Sequence, residues 1–129
     1  MSELSNLRIW WALGGVWIAL IVYLSVASLD IPQLDTWGDK INHALAYGFL
    51  MGWFGQLISR GKSWLVMAGV LIALGAMMEV WQGWLSHRQF DYYDMAANAT
   101  GVAIGWLALH AGGDRVLVLF ERMLKIGQR

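Results

Sequence analysis

Cysteine is absent and proline occurs once, at Pro32. Without cysteine there are no disulfides, no thiol nucleophile and no thiolate metal ligands. Charge is scarce too. Only 14% of the 129 residues are Asp, Glu, Lys or Arg, where a soluble domain carries roughly a quarter. Basic and acidic residues balance at nine each, so no basic excess points to nucleic acid as a partner. The sequence also lacks a Ser or Cys nucleophile elbow, and the His-bearing, Arg-rich motifs of the common membrane lipid phosphatases.

Apolar residues fill the chain instead, at 58% with a mean hydropathy of +0.50. Nine are Trp, a residue that collects at membrane–water interfaces. The expected fold class is an all-α membrane protein. A single domain, residues 1–129, would form a four-transmembrane-helix bundle with a C-terminal amphipathic interfacial helix.

Four apolar stretches approach the roughly 20 residues needed to cross a bilayer. They are residues 9–29, 41–58, 64–85 and 95–111. The first carries no charge. It could be read as a signal peptide, with residues 26–28 as a cleavage site. Its basic flank is weak and its apolar run is long for that role, so an uncleaved first span is expected. Residues 114–129 alternate apolar and charged side chains and read as an amphipathic helix at the membrane surface.

Lys and Arg set the orientation. Arg8, Arg60, Lys62, Arg115, Arg122, Lys125 and Arg129 fall on one side of such a bundle, and Lys40 and Arg88 on the other. The positive-inside rule then places both termini in the cytoplasm, as expected of a protein of the bacterial cytoplasmic membrane. Trp10, Trp11 and Trp64 would mark the inner interface, and Trp37, Trp81 and Trp84 the outer one.

Two polar sets interrupt the apolar stretches. One is Asp39-Lys40-x-x-His43-x-x-x-Tyr47. The other runs from Glu79-x-x-Gln82 through Arg88 and Asp91 to Asp94-x-x-x-Asn98-x-x-Gly101. Each ionisable group at a helix centre costs about 2.5–3.5 kcal/mol to insert, so such groups pair or face a polar interior. Asp39, His43 and Tyr47, spaced by four, share one helix face. Glu79 lies about two turns inside an apolar run and needs a cation, a metal or a proton. Arg88, Lys40 and His43 are its candidate partners. In the expected topology both sets lie at the same depth, on the outer side.

Plain structural roles remain open for each group. Asp39 could cap a helix, Glu79 could belong to a structural ion pair, and Asn98 could bond across to another helix. Gln56 and His110 fall toward the inner side and read as boundary residues. Gly48-x-x-x-Gly52 and Gly101-x-x-x-Gly105 favour close helix packing. Asp39-x-x-x-His43 and Asp94-x-x-x-Asn98 hint at a duplicated hairpin.

In order and spacing these motifs, over about residues 39–105, resemble the VanZ-like family of small integral membrane proteins. Where many relatives read Pro-Gly-Arg, this chain has Ser86-His87-Arg88. The resemblance implies a cell-envelope role at lipids or lipid-linked precursors. The antibiotic resistance attached to the family name is not carried over.

Three functions fit. In the first, Lys40 and Arg88 meet an anionic lipid head group or lipophilic glycopeptide, with Asp39, Tyr47, Gln82 and Asn98 completing the binding pocket. In the second, a membrane enzyme acts on a phospholipid or polyprenyl phosphate. There His43 is acid or base, and Glu79 or Asp94 holds a divalent metal or activates water. In the third, the chain is an accessory subunit and the cluster is structural.

Overall fold

The computed structural model describes residues 4–26, 36–85 and 90–127. Among them are five α-helices: α1 (Leu7–Val26), α2 (Thr36–Gly55), α3 (Lys62–Trp84), α4 (Tyr92–His110) and α5 (Val116–Gly127). A 3-10 turn, Gly113–Arg115, joins α4 to α5. Two helices, α1 and α3, are long and apolar enough to cross a membrane, and a third span results if the bent pair α4–α5 is counted as one. α2 matches them in length, but its polar first turns leave it outside that set.

The four long helices alternate in direction. Gln82 near the end of α3 reaches the Ser25 carbonyl at the end of α1 (2.8 Å). Trp53, near the end of α2, donates to the Trp10 carbonyl at the start of α1 (3.1 Å). One end of the molecule therefore gathers the start of α2, the end of α3 and the start of α4. The other gathers the start of α1, the end of α2, the start of α3, and α5.

The most extensive packing joins α2 to α4, and small residues permit it. A methyl group on Gly101 would overlap the Ala44 carbonyl, and one on Gly105 would lie 2.5 Å from the Gly48 oxygen. Backbones meet here, as small residues four apart allow. Gly52 faces open space, so the pattern expected on α2 is used only at Gly48.

Buried Tyr47, Leu50, Met51 and Phe54 continue the face that carries Asp39 and His43. On α4 the buried face runs Asp94, Asn98, Gly101, Val102, Gly105, Leu109. Both faces are polar at one end and apolar deeper in.

The outer surfaces of α1 and α3 are apolar. Leu13, Val16, Leu20 and Tyr23, and Leu65, Val66, Val70 and Met77, are exposed, a surface suited to hydrocarbon rather than water. Trp37, Trp81 and Trp84 are exposed at the cluster end. Trp10 and Trp64 lie at the opposite end and are packed inside the protein. Both are core residues, and their ring N–H groups donate to Glu121 (2.6 Å) and to the Gly55 carbonyl (2.8 Å).

α5 is bent by 75° from α4. It is tied back through Glu121, whose carboxylate accepts from Ser5 (backbone N–H 2.9 Å, hydroxyl 2.6 Å), the Asn6 N–H and the Trp10 indole. Burial alone would raise this carboxyl, but the hydrogen bonds outweigh it and hold the group at about 2. Gln56 secures the start of α5 by accepting from the Leu117 N–H (2.7 Å).

Candidate functional site

The parallel register of α2 and α4 brings the two polar sets together at one end. The Lys40 ammonium lies 3.0 Å from Asp91 Oδ2 and 2.9 Å from Asp94 Oδ1. It ties the first turn of α2 to the start of α4, and its charge is already matched by two carboxylates.

One turn on, His43 Nδ1 lies 3.0 Å from Asn98 Oδ1. With that amide oxygen accepting, Nδ1 is the donor in this contact. Nε2 faces Asp94 Oδ2 at 3.7 Å and Asp39 Oδ2 at 3.8 Å. These spacings are too long for hydrogen bonds. Asn98 is held in turn by α3, where Gly75 leaves room for its amide: a Cβ at that position would lie 2.9 Å from Asn98 Nδ2.

Glu79 is 1% exposed. Its Oε1 accepts the Asp91 backbone N–H at 2.7 Å, and its Oε2 has no partner among the described residues. It lies close enough to Asp94, His43 and Asp91 to interact with each electrostatically. Among the described residues no cation is hydrogen-bonded or ion-paired to it: Lys40 is taken by the two aspartates, and Arg88 lies outside the described residues. Tyr47 is buried one turn below His43 and within electrostatic reach of Glu79. Gln82 binds α1 through Ser25 and so acts as a tie between helices.

Asp91 was not singled out among the site candidates, yet it links Lys40 to Glu79. It caps α4, its Oδ1 accepting from the Tyr93 N–H (2.8 Å). Its Oδ2 takes Lys40 and its N–H serves Glu79. The hydrogen bonds from Lys40 and from the Tyr93 N–H hold its carboxyl below the usual carboxylate range. An Asp just before a helical run was the signal available in the sequence.

Asp39, His43 and Asp94 each offer one ligand atom, all within 4.8 Å of one another. Two carboxylates and one imidazole suit a divalent cation. Metal–ligand bonds of about 2.0–2.2 Å place neighbouring ligands roughly 3–3.5 Å apart, so modest side-chain rotations would close this triad. The Asn98 contact also fits. A metal-bound His characteristically uses its second ring nitrogen on a fixed partner. The unpartnered Glu79 Oε2 is a further buried oxygen in the same cluster.

His110 lies at the far end, stacked between Trp64 and Trp106 with ring centroids 4.9 and 4.2 Å away. Gln56 is also at that end. No protein-family model, curated protein or solved structure matches this chain.

Proposed function

We propose that the chain is a VanZ-like protein of the bacterial cytoplasmic membrane, with four crossing helices and both termini inside. Its polar cluster, at the outer face, takes the phosphate-bearing head group of an envelope lipid through a divalent cation held by Asp39, His43 and Asp94. One observation carries this reading: His43 Nε2 points between two carboxylates at 3.7 and 3.8 Å while Nδ1 is fixed by Asn98. A bare anion site is less well supported, because carboxylates surround the cluster and Lys40 is already paired.

The alternating helix directions and the exposed apolar faces of α1 and α3 support the membrane reading. The 75° bend before α5 and its exposed Val116, Leu119, Phe120, Met123 and Leu124 support an interfacial helix. An apolar groove of about 650 Å³, lined by Val22 of α1 and by Met77, Trp81 and Trp84 of α3, offers acyl chains a place toward the cluster end.

A catalytic variant of this reading rests on the ligand count. Three protein ligands leave coordination positions open for a phosphate oxygen and a water, so the same site suits hydrolysis of a phospholipid or polyprenyl phosphate.

The test is native mass spectrometry of the full chain in detergent micelles with an added polyprenyl phosphate. Retention should require Mn²⁺ or Zn²⁺ and disappear with EDTA or in Asp94→Asn. Retention unaffected by EDTA contradicts the cation-mediated site. Release of inorganic phosphate would favour the enzyme over the binder.

A further inference from the structure

The opposite end of the molecule holds a second pocket, of about 520 Å³. Arg60, Arg115 and Arg122 line it, with Asp114 the one acidic side chain among the described lining residues. We infer that this pocket binds the phosphodiester head group of an anionic phospholipid of the inner leaflet.

The pocket is built rather than incidental. The Arg60 guanidinium lies 5.1 Å from the Trp64 ring centroid and 3.8 Å from Asp114 Oδ2. Trp64 is itself 2% exposed and fixed through its indole N–H to the Gly55 carbonyl. Arg60 is therefore held between an anchored ring and a carboxylate, so less of its side-chain entropy remains to be lost on binding. The facing wall is the start of α5, locked to α2 by Gln56. Among the described lining residues Arg60 and Arg115 stand against the single carboxylate of Asp114 even with Arg122 left out of the count, and guanidinium forks match phosphate oxygens.

The remaining lining mixes polar Gln56 and Ser59 with apolar residues. Ile58, Val118 and Leu119 contribute to the pocket, and Leu119 belongs to the exposed apolar surface of α5. A ligand that is anionic at one end and apolar at the other fits such a site better than a free ion does. If α5 lies in the interface, as proposed above, the pocket opens at head-group depth on the cytoplasmic side, where anionic lipids are enriched. That depth rests on the four-span reading. The charge and shape of the pocket do not.

The experiment uses the full chain in detergent micelles with EDTA present throughout, which silences any cation-dependent binding at the other end. Native mass spectrometry compares phosphatidylglycerol with phosphatidylcholine. Phosphatidylglycerol should be retained preferentially, and Arg60→Gln or Arg122→Gln should weaken retention about fivefold each, or about 25-fold together. Arg122→Lys, which keeps the charge, should recover part of the loss. Equal retention of the two lipids, or retention unchanged in the double variant while its melting temperature holds, overturns the inference. Displacement of the lipid by millimolar inorganic phosphate would assign the pocket to free phosphate and overturn the lipid source. Because micelles impose no sidedness, an error in membrane orientation would leave these results standing and would show only in labelling experiments.

Discussion

His43 and Asn98, 55 residues apart in sequence, meet at 3.0 Å through Nδ1 and Oδ1. The contact joins α2 to α4 and fixes the ring. Nε2 then faces Asp39 and Asp94, the arrangement on which the proposed cation site rests.

Close packing of α2 on α4 sets that contact. Gly101→Ala should cost about 1–3 kcal/mol, because the added methyl meets the Ala44 carbonyl and overpacking at a rigid contact is destabilising. Gly52→Ala, with nothing within 4 Å, should be neutral or stabilising by up to about 1 kcal/mol. Thermal melting of both in detergent checks this. Equal effects would show that the helices do not meet at Gly101.

Glu79, buried on α3, carries the second prediction. One oxygen of this buried carboxylate has no partner among the described residues, so Glu79→Gln should leave melting within about 1 kcal/mol or raise it. It should still weaken cation binding by removing a nearby negative charge. The double change Glu79→Gln with Arg88→Met tests whether Arg88 matters to that carboxylate. A double variant that folds well yet loses lipid retention supports a site. One that keeps full retention makes the pair structural.

Glu121 should couple stability to acid. Its folded carboxyl lies at about 2, against a usual value of 4.5. Its contribution is fully present above about pH 4.5 and is lost as pH falls toward 2. Glu121→Gln should therefore melt lower at neutral pH, by about 1–2 kcal/mol. The gap from the native protein should narrow below pH 4.5. A gap that stays constant down to pH 2 would mean the hydrogen bonds to Ser5 and Trp10 do not favour the ionised form.

Orientation has a separate check. Cysteine introduced at Ser86 or at Arg129 gives a single labelling site, since the chain has no cysteine of its own. In intact cells an impermeant maleimide should modify the first and spare the second. Labelling of the second would reverse the proposed topology.

Much of this arrangement was legible in the sequence, because the cost of burying charge is steep and helical spacing is regular. Asp39, His43 and Tyr47 share a face, and Asp94 and Asn98 face them, as the four-residue spacings imply. The role of Asp91 was not legible. Its backbone N–H serves Glu79 and its side chain takes Lys40, and neither contact follows from spacing along one helix. The burial of Trp10 and Trp64 was not legible either. An indole can be buried where its N–H finds an acceptor, and both acceptors here come from other elements. Of the expected cation partners of Glu79, Lys40 is taken by Asp91 and Asp94, His43 lies within electrostatic reach, and Arg88 lies outside the described residues.

The most direct test of the cation site is pulsed electron paramagnetic resonance of Mn²⁺ bound to the full chain in neutral-lipid nanodiscs. A nitrogen modulation from one directly coordinated imidazole should appear, and it should vanish in His43→Gln while the helical content holds. Asp39→Asn and Asp94→Asn should each weaken Mn²⁺ binding by tenfold or more. Absence of the nitrogen coupling in the native chain, or its persistence in His43→Gln, would contradict the site.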